Sequence, residues 1–408
     1  MVEAAIPNAE FYMNPQAVDF ENLVKMGDFL GCLQCGLCAG SCPLGYAIEY
    51  SPRKIILNTR AGKLNEVLDD PSVWMCVSCY TCSDRCPKDI ELTDILWPAL
   101  RDKGLQEGVQ PPAELQDAFQ KIYLYGNSLG ESPKKRLKWA QGLENPPVDL
   151  SKEKRPVDVL WMVECYPSYY PRNQVVTRHF ARIMNTLGID WGVLGNKEKC
   201  LGDCDRYYGE EGLFEMLIEN NIELINQYEF NKLVVIDPHA YRALERFYPL
   251  YGAKYPAQHY CMFLAERLEE LKPMLKHEVK AKVTYHDNCC IGRRCKCYQA
   301  PRDLLTAIPG IELVEMERNY DNALCCGGGG GGMWLDGHIT EHGGHRLSDE
   351  RIKMAAETEA DIMAVSCPYE LSRFEDSAKV VGLENKLVVR DIIELMAQSM
   401  GFAEGGHS

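Results

Sequence analysis

Eight cysteines in the first ninety residues are spaced for metal ligation. Cys32-Leu-Gln-Cys35-Gly-Leu-Cys38-Ala-Gly-Ser-Cys42-Pro43 reads C-x2-C-x2-C-x3-C-P, and Cys76-Val-Ser-Cys79-Tyr-Thr-Cys82-Ser-Asp-Arg-Cys86-Pro87 repeats it. In this spacing three close thiolates wrap one face of a four-iron cubane, and the fourth, turned away by the following Pro, reaches the other cluster. One [4Fe-4S] cluster is therefore expected on Cys32, Cys35, Cys38 and Cys86, and a second on Cys76, Cys79, Cys82 and Cys42. Zinc would use paired C-x2-C knuckles and leave half of these thiols idle. Two adjacent cubanes pass single electrons, and neither offers an open iron position, so any reacting centre lies elsewhere in the chain.

The second constellation is C-terminal. Cys289, Cys325, Cys326 and Cys367 all stand at the ends of strand-like segments or in turns, where a sheet edge would gather them. Four convergent thiolates suit iron–sulfur ligation better than a thiol couple. Six glycines, Gly327 to Gly332, follow the Cys pair. Without Cβ atoms they let the backbone approach a cluster and aim N–H groups at its sulfurs. The competing readings are a phosphate loop or a flexible linker. A phosphate loop wants Lys-Ser/Thr or a helix start immediately after, and Met333-Trp-Leu335 supplies neither.

The elements that must position these residues fall into four segments. Residues 1–103 read as a helical module, because Ile55 to Gly62 and Leu64 to Leu68 carry apolar positions at i, i+3 and i+4. Residues 104–156, rich in Pro, Lys, Glu and Gln, read as an exposed linker with a helix near Ala113 to Tyr125. From Val157 onward strands alternate with helices: Val157 to Val163, Lys232 to Ile236, Ala281 to Tyr285 and Asp361 to Val365 as strands, Gln174 to Leu187 and Pro301 to Ile308 as helices. This pattern predicts α/β sheets with chemistry at their carboxyl edges. The segments 157–280 and 281–408 are a repeat, since Cys165, Cys200 and Asp237 recur at Cys289, Cys325 and Cys367 with offsets of 124, 125 and 130.

Composition bounds the rest. The chain has 408 residues, 19 of them Cys, and 44 Lys+Arg against 59 Asp+Glu give a net charge of −15. That acidity excludes a nucleic-acid backbone as the expected partner. The opening Met1-Val-Glu-Ala-Ala-Ile-Pro7 lacks the basic and apolar regions of a secretory signal, and no apolar run is long enough to span a bilayer. The expectation is a cytoplasmic, reducing setting, with membrane attachment only through a partner. A nicotinamide or flavin site of the usual kind is not supported, because the one glycine-rich segment follows Cys-Cys rather than opening a helix after a strand.

With these motifs in order, followed by Tyr285-His-Asp-Asn-Cys289, Ala300-Pro-Arg302, Ile308-Pro-Gly310, Glu315-Met316, Cys325-Cys-Gly-Gly-Gly329 and Cys367-Pro368, the chain resembles the heterodisulfide reductase catalytic-subunit family. Relatives of that family include the iron–sulfur subunits of glycolate oxidase and anaerobic glycerol-3-phosphate dehydrogenase. The resemblance implies an N-terminal helical two-cluster ferredoxin module followed by two α/β cysteine-rich (CCG-type) units. It implies a third [4Fe-4S] cluster on Cys289, Cys325, Cys326 and Cys367, noncubane where a fifth thiolate is present. Here Cys367-Pro-Tyr-Glu370 has Glu in that place, which leaves an ordinary cubane or a Glu370 carboxylate ligand as alternatives. Cys290, Cys295 and Cys297 are additional to the pattern and either replace the missing ligand, bind a further centre or remain free thiols.

The first unit departs further, reading Cys200-Leu-Gly202 for Cys-Cys-Gly and Asp237-Pro-His-Ala240 for Cys-Pro-x-Cys. Cys165, Cys200, Cys204 and His239, with Asp237 and His259, form either a zinc site or a set of buried thiols and hydrogen-bonded histidines. Lone His286 and His342 read as structural residues, His286 keeping interest for its closeness to Cys289. The functional expectation is an oxidoreductase subunit that passes electrons through two cubanes to the C-terminal cluster, with Cys289, Cys325, Cys326 and Cys367 as the reacting set. The alternative is a non-catalytic relay in a larger reductase. Expected partners are a flavoprotein, a ferredoxin- or hydrogenase-type subunit, or a quinone-reactive membrane subunit in a hetero-oligomer.

Overall fold

The computed structural model describes residues 28–402. Its N-terminal part, through residue 106, is built from short helices, among them Pro52–Arg60, Leu64–Leu68 and Trp97–Gln106. Pro52 occupies the first turn of its helix, where its missing N–H costs nothing, and Ile55 and Ile56 face the core.

Nine strands follow: β1 (Val148–Asp149), β2 (Val157–Met162), β3 (Trp191–Val193), β4 (Phe230–Val235), β5 (Ala257–His259), β6 (Ala281–Tyr285), β7 (Ile311–Val314), β8 (Ile362–Val365) and β9 (Val388–Asp391). They make two sheets, ordered β1-β3-β2-β4-β5 and β7-β6-β8-β9, with every pairing parallel. Without β1 the two orders are the same, so the sequence repeat is a structural repeat. Parallel strands are covered on both faces, which is why Leu160-Trp-Met162 and Met363-Ala-Val365 are continuous apolar, buried runs.

The repeats pack reciprocally. The helix after β2, Pro171–Thr186, meets the helix after β9, Ile392–Ser399, while the helix after β5, Tyr260–Ala265, meets the helix after β6, Gln299–Ala307. Arg172 fastens the first contact by pairing with Glu394 at 2.8 Å and Glu375 at 2.6 Å. The Tyr260 hydroxyl donates to Asp391 at 2.9 Å across the interface. This arrangement turns the carboxyl ends of β2 and β4 toward those of β6 and β8.

The stretch expected as an exposed linker is corrected by the structure. Helix Ala113–Tyr125 buries Leu115, Ala118, Phe119 and Ile122. Fully buried Trp139 packs its ring at a tilt against Trp161, 5.3 Å between centroids, and β1 extends the first sheet. Scattered prolines and charges masked apolar anchors too widely spaced to show a period. No helix among the described residues is long and apolar enough to cross a membrane.

One buried ring makes folding pH-sensitive. His259 donates from Nε2 to the Ile236 carbonyl at 2.8 Å and accepts the Cys261 N–H on Nδ1 at 3.4 Å, and burial pushes its pKa down to about 4. Below its ordinary value of 6.5 the unfolded chain binds a proton that the folded chain refuses. The contribution is thus complete above pH 6.5, falls as pH drops through that value and is gone near pH 4, about 3 kcal/mol in all at about 1.4 kcal/mol per unit. The denaturation midpoint should fall less between pH 7 and pH 5 in His259→Asn than in the parent; an equal fall would refute the assignment.

Candidate functional site

The eight N-terminal cysteines sort into two cavities. Cys32, Cys35, Cys38 and Cys86 line one; Cys42, Cys76, Cys79 and Cys82 line the other. In each run the backbone turns left-handed at the same two places, Gln34 and Gly36 in the first, Ser78 and Tyr80 in the second. These sparsely populated conformations for non-glycine residues carry a local energetic cost and aim three successive thiols to one side. Cys35 is exposed whereas Cys79 and Cys82 are buried, so the first cavity opens at the surface and the second lies inward.

The C-terminal thiols converge at the carboxyl edge of the second sheet. Cys289 opens a wide helical turn, Cys289–Arg294, capped by Asn288 Oδ1, which accepts the N–H groups of Cys290 at 2.7 Å and Ile291 at 3.2 Å. The Cys289 thiol contacts those of Cys290 and Cys325, and Cys325 contacts Cys326. Cys289 is held toward the thiolate by the Cys290 and Cys325 thiols, and Cys326 by the Cys325 thiol and the His286 ring. Thiolate is the ligating form. Gly327 and Gly328 donate their N–H groups to Cys325 Sγ at 3.3 Å and Cys326 Sγ at 3.4 Å, the sulfur-directed role expected of the glycine run.

Cys367 ends β8 and precedes helix Pro368–Val380, whose first turn carries Glu370. Glu370 is fully buried, accepts Asn288 Nδ2–H at 2.5 Å and lies 3.2 Å from His286 Nε2. Donor atoms of His286, Cys326 and Glu370 lie within 4.8 Å of one another, as do those of Asp237, His239 and Cys367. The residue in the fifth-thiolate place is thus aimed at the thiols. His286, expected as structural with some interest, is oriented by Arg351 Nε, which donates to its Nδ1 at 3.0 Å.

The first repeat keeps the turn but not the ligands. Gly202 N–H donates to Cys200 Sγ at 3.4 Å with φ of 86°, matching Gly327 at 76°, while Leu201 stands where the second Cys would be. Cys165 packs with Tyr166, Tyr369 and Ser128. Among the described residues, Cys165, Cys200, Cys204 and His239 form no group with donor atoms within 4.8 Å, and both ring nitrogens of His259 are engaged by backbone. A zinc tetrahedron with Zn–S of about 2.3 Å needs sulfurs about 3.8 Å apart. His239 bridges the halves, contacting Asp203 of its own unit at 3.2 Å and Cys290 Sγ of the other at 3.7 Å. Of the additional cysteines, Cys290 joins the C-terminal thiols. Cys295 faces Arg242 with its thiol pushed up to about 12 by burial, and Cys297 faces the Ala300 N–H.

Sequence reasoning missed three arginines that bind the backbone of the second ferredoxin run, two of which, Arg293 and Arg294, come from the C-terminal unit. Arg101 Nη2 donates to the Cys76 carbonyl at 2.9 Å, Arg294 Nη2 to Ser78 at 2.6 Å and Arg293 Nη1 to Cys79 at 2.6 Å. The only signal was a pair of charges inside Cys289-Cys-Ile-Gly-Arg-Arg-Cys295. The glycine run seals the same junction: a Cβ on Gly330 would overlap Ser78, and one on Gly331 the Tyr208 hydroxyl.

Fold and site together define an iron–sulfur protein with a dicluster module and a duplicated cysteine-rich unit. The family model of the 4Fe-4S dicluster domain matches residues 28–90, and that of the cysteine-rich domain matches 159–245 and 283–369. A component of the dihydromethanophenazine:CoB–CoM heterodisulfide reductase of Methanosarcina mazei is 30% identical over 422 residues, covering 94% of this chain and 98% of that protein. The chain belongs to the family of CCG-domain iron–sulfur proteins that this heterodisulfide reductase component represents. The probable iron-sulfur-binding oxidoreductase FadF of Bacillus subtilis is 34% identical over 366 residues, 89% of this chain and 50% of that protein. The EtfAB:quinone oxidoreductase of Syntrophomonas wolfei is 30% identical over 342 residues, 83% and 48% respectively. The chain therefore spans about half the length of these last two relatives.

Proposed function

We propose that this chain is an electron-transfer subunit of a larger redox complex. Cys32, Cys35, Cys38 and Cys86 hold one [4Fe-4S] cluster, Cys76, Cys79, Cys82 and Cys42 a second, and Cys289, Cys325, Cys326 and Cys367 a third four-iron centre. These centres supply one-electron chemistry, and the donor sets fit them: four thiols line each N-terminal cavity, and soft thiolates gather at the C-terminal edge. The observation that carries the reading is a shared wall. Val77 and Ser78, which lie between Cys76 and Cys79, abut Gly329 and Gly330, which follow Cys325-Cys326. The exposed first cavity is the entry or exit for a partner's electron. Fitting partners are a flavoprotein, a quinone-linked membrane subunit or another cluster-bearing protein, since the relatives are named as oxidoreductases and part of a reductase.

Glu370 favours a second reading in which the third centre relays electrons without reducing a substrate. The carboxylate is already engaged by Asn288 and His286, so the place of a fifth thiolate is filled by a hard ligand. Zinc in the first repeat is not part of either reading. Iron and sulfide analysis of anaerobically purified protein tests the assignment: about twelve Fe per chain is expected from three four-iron centres, and about eight or fewer would overturn it.

A further inference from the structure

Arg293 is 2% exposed. It donates Nε–H to the Asp321 carbonyl at 2.9 Å, Nη1–H to Cys79 at 2.6 Å and Nη2–H to Ala323. Every one of these acceptors is a neutral backbone carbonyl. Among the described residues no carboxylate lies within ion-pair distance of it, in contrast to Arg294, which has Asp94 at 3.6 Å, and Arg302, which has Asp287 at 2.7 Å. A buried cation without a counter-charge costs several kcal/mol, so folded proteins pair it. The acidic groups that do face Arg293 are the sulfurs of Cys79 on one side and of Cys289 and Cys325 on the other, and after them the Tyr298 phenol. Arg101 is the one-sided counterpart. It is fully buried, bonded to the carbonyls of Val73, Cys76 and Tyr207, and faces Cys76 but none of the C-terminal thiols.

Resting on the three-centre reading above, we infer that Arg293 is the shared counter-ion of two clusters, the one held by Cys42, Cys76, Cys79 and Cys82 and the one held by Cys289, Cys325, Cys326 and Cys367. A centre that accepts one electron gains one negative charge, and its neighbour that donated the electron loses one. A cation placed between them favours the reduced form of both. Arg293 thereby raises both potentials together while its bond to the Cys79 carbonyl fixes their spacing. It is a positioning residue that acts through the thiolate ligands.

The test is a redox titration followed by electron paramagnetic resonance on anaerobically purified full-length protein. Arg293→Gln is expected to lower the reduced-to-oxidised ratio of both inner centres about tenfold at a fixed potential, equal to about 59 mV for one electron. The centre on Cys32, Cys35, Cys38 and Cys86 should not move. Arg293→Lys, which keeps the charge, should restore most of the shift, and Arg101→Gln should move only the centre that includes Cys76. If Arg293→Gln sheds iron, Arg293→Met takes its place as the neutral variant. Unchanged ratios with full iron content, or a shift in one inner centre alone, would overturn the inference. Parent protein with only about eight Fe would instead overturn the three-centre reading on which it rests.

Discussion

Cys326→Ser is expected to remove about four iron atoms per chain, one four-iron centre, and to leave the eight of the N-terminal pair in place. Cys326 is held toward its anionic form by the Cys325 thiol and the His286 ring, and receives the Gly328 N–H at 3.4 Å. A serine hydroxyl is a harder, far less acidic donor and does not replace a thiolate on iron. The N-terminal cavities draw on none of the C-terminal cysteines, so their spectroscopic signals should persist with unchanged intensity. Equal iron content in parent and variant would show that Cys326 is no ligand. Loss of all iron would show that the two regions do not assemble independently.

The largest stability effect should come from one methyl group. Gly331 sits at φ of 80°, and a Cβ there would coincide with the hydroxyl of fully buried Tyr208, whose ring lies 5.2 Å from the Arg101 guanidinium. Left-handed backbone costs a residue with a Cβ about 1–2 kcal/mol, and overpacking adds about 1–3 kcal/mol more. Gly331→Ala should therefore lower the denaturation free energy by about 2–5 kcal/mol, the sum of those ranges. Tyr208→Phe should not rescue it, because the ring carbon beneath the hydroxyl also overlaps the added methyl. Gly337→Ala, with nothing within 4 Å of its Cβ position, should be close to neutral and serves as the control. A denaturant midpoint for Gly331→Ala equal to that of Gly337→Ala would refute the packing argument.

Much of this architecture is legible without coordinates. Strands Val157–Met162 and Ala281–Tyr285 are short segments rich in β-branched and aromatic residues, and the ferredoxin spacings name their own partners. The strands β1, β3, β5, β7 and β9 are not legible, because two to four residues establish no period and, unlike the equally short β8, none is a continuous buried apolar run ending at a cysteine. Reciprocal packing of the repeats was also out of reach, and with it the place of His239. Its spacing from Cys200 suggests partners in its own half alone, yet beside Asp203 the fold also brings it against Cys290 across the interface. Arg101 and Arg293 escaped for a different reason. A buried arginine that bonds only backbone carbonyls leaves no complementary residue type in the sequence to betray it.

The two N-terminal cavities exchange one wall residue each: Cys42 closes the cavity of the later run and Cys86 that of the earlier one. The run that emerges first from the ribosome is therefore the last to have its wall completed, and neither wall is whole until Cys82 has been synthesised. On the proposed ligand sets, a truncation just short of Cys82 would therefore forfeit both sites at once.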